Sequence, residues 1–151
     1  MRYVYPCILD AEIEGGFFVR FPDLPEALTG GRDREDALAM AKDCLISALS
    51  LYVRNGEDVP APSPIQHSQV PITVPPVIAA KLDLYAAIRK QCLSKSDLGA
   101  RLGLSPSAIS RLTDLRKPSN FERIETALRA VGRGLVVESH ALNAAVSGLD
   151  R

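Results

Sequence analysis

Six of the chain's eleven prolines fall between Val59 and Pro76, at positions 60, 62, 64, 71, 75 and 76. Proline fixes φ and offers no backbone N–H, so such a stretch neither continues a helix nor sits inside a sheet. It reads as an extended connector that divides the 151 residues into two parts, each close to the smallest size that holds a core of its own. The boundary is placed at Pro75. Residues 1–75 then form a first module, 76–139 a second, and 140–151 are expected to be a disordered tail.

The two parts carry opposite charge. Residues 1–80 hold six Lys+Arg against eleven Asp+Glu, and residues 81–139 hold eleven against six, although the whole chain is formally neutral. A basic half suits a polyanion and an acidic half a basic protein, with plain solvated faces as the alternative. The hydrophobic share of 46% is that of a folded globular chain. Cys7, Cys44 and Cys92 are widely spaced, odd in number and form no Cys-x-x-Cys pair. That argues against a disulfide framework or a zinc site and for a reducing compartment. The opening MRYVYPCILDAEIEGG is charged where a signal peptide is apolar, and no uncharged apolar run approaches the ~20 residues that span a bilayer. A cytoplasmic protein, neither exported nor membrane-embedded, is expected.

In the first module, Tyr3 to Ile13 mixes β-formers with polar residues. Phe17, Val19 and Phe21 alternate with Phe18 and Arg20 just beyond Gly15-Gly16, a hairpin pattern with a two-residue turn at the glycine pair. Pro22-Asp23-Leu24-Pro25 ends the second strand, and a short third is expected near Ala27 to Thr29. Asp33 can cap a helix that has Glu35 and Asp36 in its first turn. Leu38, Ala41, Leu45, Ala48, Leu49 and Tyr52 form one stripe along it, which should lie across the sheet, and Gly56 ends it. Val70, Ile72 and Val74 alternate with Pro71 and Thr73 as an edge strand. The module is α+β, a small antiparallel sheet with one packed helix in the order β-β-β-α-β.

From Val77 to Val131 the pattern is helical. Leu82, Tyr85, Ala86 and Ile88 read as core, and Lys81, Arg89 and Lys90 as a solvated face with phosphate contacts open to it. Ser94 and Asp97 make a capping-box variant. Leu98 and Leu102 share the buried face of the helix they open, Gly99 is small enough for a close crossing, and Gly103 supplies a left-handed stop. Leu104 plugs the corner. Ser105 caps the next helix with Pro106 at its first position, and Ile109 and Leu112 face back. This is a helix-turn-helix whose core is Leu98, Gly99, Leu102, Gly103, Leu104, Ile109 and Leu112. Its second helix offers Ser105, Ser107, Ser110, Arg111 and Asp114 outward, followed by Arg116 and Lys117. Hydroxyls and cations bond phosphates, Arg111 can engage a guanine edge bidentately, and free amides at the helix start favour an anion. The candidate DNA contacts are therefore Lys95, Ser105, Ser107, Ser110, Arg111, Arg116 and Lys117. Three plainer roles stay open: Arg111 paired with Asp114 or Asp97, serines merely solvated, Ser105 merely a cap. A second capping box, Ser119 with Glu122, opens a helix bearing Phe121, Ile124, Leu128 and Val131. Gly132-Arg133-Gly134 breaks the pattern and Leu135-Val136-Val137 reads as a short closing strand.

Two stretches resemble the HicB family of antitoxins, and together they cover nearly the whole chain. FPDLPEALTGG at 21–31, followed by REDALAMAKDCL and by VPAPS at 59–63, is similar to that family's partial RNase H-like module. LSKSDLGARLGLSPSAISRLTDLRKPSNFERIETALRAVGRGLVV at 93–137 is similar to the helix-turn-helix tail that many members carry. The resemblance implies a partner toxin, HicA, a small basic mRNA-cleaving protein with a double-stranded-RNA-binding-like fold. It also implies repression of the shared operon through double-stranded operator DNA. The acidic module would cover the toxin and the basic one would sit on DNA. No short family motif marks the toxin contacts, so that site is left open within residues 1–75. Solitary members exist, and a repressor without a toxin is the alternative. A homodimer is the minimum assembly, because operator half-sites lie about one DNA turn, ~34 Å, apart. Leu135–Val137 is the candidate to pair across the two-fold, and Phe121 packing the second candidate.

An RNase H-like module could instead be a metal-dependent nuclease using Asp10, Glu12 and Glu14. At ~75 residues it is about half the usual size of that fold, and alternation places the three carboxylates on one outward strand face, so no enzyme is expected. His67 in the connector and His140 in the tail have no metal-site spacing, and the Gly-Gly pairs lack a phosphate-loop signature. No cofactor or metal is expected. A ligand-sensing first module is a third reading, limited by a sheet too short for a pocket of ~300 Å³.

Overall fold

Alternating side chains build the first sheet. In the computed structural model, which describes residues 3–141, β1 (Val4–Ala11), β2 (Phe17–Phe21) and β3 (Leu24–Gly31) form an antiparallel meander. A fourth strand, β4 (Val70–Thr73), pairs antiparallel with the other side of β1, giving the order β3-β2-β1-β4. Tyr5, Cys7, Val19, Phe21, Leu24 and Ala27 are buried, whereas Phe18 and Leu28 remain exposed. β1 tolerates Pro6 because its first half, Val4 to Cys7, pairs with β4 and its second half, Ile8 to Ala11, with β2. β3 is longer than the expected Ala27 to Thr29 and absorbs Pro25, which an edge strand permits.

The hairpin turn is also longer than two residues. Gly15 N–H donates to the Glu12 carbonyl and Glu12 N–H to the Gly16 carbonyl, each at 3.1 Å, and both glycines hold positive φ. Because β1 ends at Ala11, Glu12 and Glu14 leave the strand, and Asp10 pairs with Arg20 at 2.9 Å. The three carboxylates therefore do not share a strand face, contrary to the alternation argument.

Helix α1 (Arg34–Asn55) starts where Asp33 Oδ1 accepts the Asp36 N–H at 2.8 Å. Ala37, Leu38, Ala41, Leu45, Ala48 and Leu49 supply its buried stripe. Gly31 has to be glycine, since a Cβ there would lie 2.3 Å from the Ala37 nitrogen. The proline connector is tied to this sheet: Tyr5 Oη donates to the Pro60 carbonyl at 2.7 Å, and Ser63 N–H to Asp23 at 2.9 Å. Burial pushes the Cys7 thiol up to about 12, leaving it an inert core group.

The chain divides into two units. One comprises residues up to Leu49 with Pro60–Val74, and the other Ser50–Val59 with Pro75–Glu138. The second unit holds α2 (Pro76–Lys90), α3 (Lys95–Leu102), α4 (Pro106–Thr113) and α5 (Phe121–Ala130). Its core is Ala80, Leu84, Ala87, Leu98, Ile109, Leu112, Ile124, Ala127, Leu128 and Val131. Each fully buried Leu or Ile there contributes about 1.5–3 kcal/mol of transfer free energy. The fold is thus α+β, a four-stranded antiparallel sheet with one helix, followed by four helices.

Three expectations for the second unit need correction. Lys81 is not part of a solvated face, whereas Arg89 is exposed as expected. Lys81 is completely buried, and Arg89 pairs with Asp58 at 2.8 Å and lies over the Tyr85 ring, whose hydroxyl donates to the Glu57 carbonyl at 2.7 Å. α5 is capped by Asn120, whose Oδ1 accepts the Glu122 N–H at 2.8 Å, rather than by Ser119. Asn caps as well as Ser and stands one residue nearer. Leu135 to Val137 forms no strand: a strand needs a ladder partner, and this unit consists of helices. Leu135 packs against the core, while Val136 and Val137 are 82% and 65% exposed. The expected tail lies outside the described residues apart from His140 and Ala141.

Candidate nucleic-acid interface

Short helices expose a large share of unpaired backbone ends, so side chains must close them. Ser94 Oγ accepts the Asp97 N–H at 2.9 Å, and the Asp97 carboxylate accepts the Ser94 N–H at 3.0 Å, completing the capping box of α3. Those bonds hold the Asp97 carboxyl below the ordinary range, since hydrogen bonds from Ser94 favour its charged form. Gly103 stops the helix with a φ of 66°. At Gly99 a Cβ would meet the Leu104 carbonyl oxygen at 2.4 Å, so the turn closes against α3 only over a glycine. Leu98, Ile109 and Leu112 are buried, and Leu102 and Leu104 pack partly buried against them.

This framework fixes α4. Ser105 Oγ accepts the Ala108 N–H at 3.3 Å and lies 3.1 Å from Ser107 Oγ, so Ser105 does act as a cap. Beyond α4, the Arg116 N–H donates to Asp114 Oδ1 at 3.0 Å, which tightens the following turn. Arg111 is exposed and, among the described residues, makes no ion pair with Asp114 or Asp97.

A groove of about 710 Å³ runs beside α4. It brings together four of the seven candidate contacts, Ser107, Ser110, Arg111 and Lys117, with Asp114 as a carboxylate among them. Lys95, Ser105 and Arg116 lie outside its lining, although all three are exposed. Pro118, Ser119, Asn120 and Arg123 also line it, none of them expected from the sequence as a contact. Arg123 had a signal: it stands in the first turn of α5, directly after the short connection from α4, and it belongs to the basic excess of this half. With Arg111 and Lys117, it makes three cations against one carboxylate in a groove edged by hydroxyls, a composition that suits phosphate oxygens and base edges.

Among the described residues, no three or more His, Cys, Asp or Glu side chains are grouped to hold a metal ion. Nor is any helix among them long and apolar enough to cross a membrane.

A family model described as the HicB-like antitoxin of bacterial toxin-antitoxin systems matches residues 4–83. The chain is 37% identical over 133 residues to "Antitoxin HicB 1" of Photorhabdus laumondii, covering 88% of this chain and 84% of that protein. "Antitoxin HicB 2" of the same organism is 39% identical over 122 residues, covering 81% and 86%. "Antitoxin HicB" of Escherichia coli K12 is 34% identical over 131 residues, covering 87% and 95%.

Proposed function

Because this chain belongs to the HicB-like antitoxin family of toxin-antitoxin systems, we propose that it is a cytoplasmic, non-enzymatic antitoxin and repressor. It binds and neutralises a HicA-like mRNA-cleaving toxin through the sheet unit, and represses its own operon by binding operator DNA through the helical unit. The observation that carries the DNA half is the groove beside α4, where Arg111, Lys117 and Arg123 converge. The acidic balance of residues 1–80 supports a basic protein as the partner of the other half.

In this reading α4 lies in the major groove. Arg111 contacts a base edge and Lys117 and Arg123 contact phosphates, with Ser107 and Ser110 adding hydroxyl donors. Operator half-sites then require a homodimer. Support for pairing at its two-fold comes from Val136 and Val137, two exposed β-branched residues directly after Leu135. Truncation after Gly132 tests that pairing: a lower mass in solution is expected, and an unchanged mass contradicts it.

The test of the function as a whole is a tagged pull-down from the native cell, with proteins identified by mass spectrometry and bound DNA sequenced. One small basic protein with one promoter fragment is expected. DNA without a protein partner would leave a repressor and remove the toxin; a protein without DNA would reduce the helix-turn-helix to a scaffold.

A further inference from the structure

Lys81 stands in α2 between Ala80 and Leu82, and all three are buried, Lys81 at 0% exposure. A lysine is almost never fully buried unless its ammonium is paired. What Nζ finds is a set of three backbone carbonyls, those of Arg111 at 3.2 Å, Asp114 at 2.7 Å and Lys117 at 2.6 Å. An ammonium has three N–H donors and no acceptor, so three carbonyls use its full capacity. The carbonyls come from the last turn of α4 and the turn after it, where the helix leaves acceptors unpaired and its macrodipole is negative. Burial holds the ammonium below the ordinary lysine range and the Asp114 carboxylate opposes that shift.

We propose that Lys81 is a positioning residue for the groove beside α4: its buried ammonium gathers the carbonyls of residues 111, 114 and 117 and thereby sets where the Arg111 and Lys117 side chains emerge. The proposal rests on the reading of that groove as the DNA site. An apolar residue would fill the volume at position 81, but it would take this donor from the Lys117 carbonyl and leave the Arg111 and Asp114 carbonyls with only the Ser119 hydroxyl at 3.5 Å and the Lys117 N–H at 3.2 Å, or force the turn outward to find water. A cation donating to three points along one segment constrains the direction in which each of those carbonyls faces, which non-directional apolar packing does not.

The test compares full-length parent protein, Lys81→Met, Lys117→Ala and the double variant. Binding is measured on a labelled duplex taken from the segment immediately upstream of the chain's own reading frame, at a temperature where all four are fully folded by circular dichroism. Lys81→Met is expected to weaken binding about tenfold, comparable to the loss of a direct contact. In that background Lys117→Ala should cost less than about twofold more, since Lys117 is already misplaced. Fully additive losses, or unchanged binding by folded Lys81→Met, overturn the proposal. Amide hydrogen exchange without DNA provides a second readout: lost protection confined to residues 111–119 is expected, and loss spread over α2 to α5 makes Lys81 a general core residue. If the parent itself ignores the duplex, the DNA reading fails, while the exchange pattern still decides whether Lys81 sets this segment.

Discussion

The sheet unit and the helical unit satisfy their backbones by different means. In the first, ladders between four strands pair most polar groups, and few side chains are needed beyond Asp33, Asp23 and Tyr5. In the second, α3 and α4 have eight residues each, so much of their backbone is helix end. Ser94, Asp97, Ser105 and Lys81 work on those ends, while Asn120 closes the start of α5 and Gln91 on the Val131 carbonyl and Arg101 on the Ala130 carbonyl close its end. The helical unit therefore fixes its surface through side chains that bond backbone ends, whereas the outer sheet face exposes Phe18 and Leu28 beside the side-chain pair of Arg20 and Asp10. A binding surface built the first way leaves marks in a sequence, and one built the second way does not.

The sharpest way to break this contrast is to delete side chains in both units and measure stability by urea unfolding of the full chain. Leu98→Ala, at a position with 0% exposure, should cost about 2–5 kcal/mol. Leu28→Ala, at 53% exposure on the sheet, should change stability by no more than about 0.5 kcal/mol. A large loss at Leu28 would mean that the open sheet face is covered in solution. The two close-approach glycines should behave alike, because Gly31→Ala and Gly99→Ala both drive a Cβ into backbone, at 2.3 Å and 2.4 Å. About 1–3 kcal/mol is expected for each, and a neutral Gly99→Ala would show that the turn after α3 can slide.

Smaller effects sharpen the comparison. Ser94→Ala removes a cap from an eight-residue helix and should cost about 1 kcal/mol, with the loss visible as faster amide exchange across α3. The smallest effect is a pH dependence shared by Asp97 and Asp36. Hydrogen bonds from Ser94 and from Arg32 respectively lower their folded pKa values. Each therefore adds stability above the unfolded carboxylate range and loses it as pH falls through the lowered folded value. Asp97→Asn and Asp36→Asn should each flatten the acid limb of the stability curve; an unchanged limb in either variant removes that residue's part.

How much was legible follows from the same contrast. Ser94, Gly99, Gly103 and Ser105 announced the helix-turn-helix because each answers a local backbone requirement that only a few residue types meet. The edge strand at Val70 was readable through its alternation despite Pro71. Lys81 was misread because a charged residue in a helical pattern is assigned to solvent by default. Its spacing held the correction: with Val77, Leu84 and Ile88 it falls on the stripe that packs against the core. Arg123 was missed because the turn from Asp114 to Asn120 has no period, so its place in the first turn of α5 and in the basic excess does not by itself show that this turn comes back beside α4. The closing strand at Leu135 was an error of context, since β-propensity describes a fit to a neighbour that a single chain here does not provide.

The central claim is that the groove beside α4 reads DNA, and binding isotherms on the upstream duplex and a scrambled duplex at several salt concentrations test it most directly. Parent protein should prefer the upstream duplex. Arg111→Ala should lose about 1–3 kcal/mol and most of that preference, while Lys117→Ala should lose affinity equally on both duplexes with a salt dependence lower by about one phosphate. Equal binding of both duplexes by parent and Arg111→Ala alike would contradict the claim.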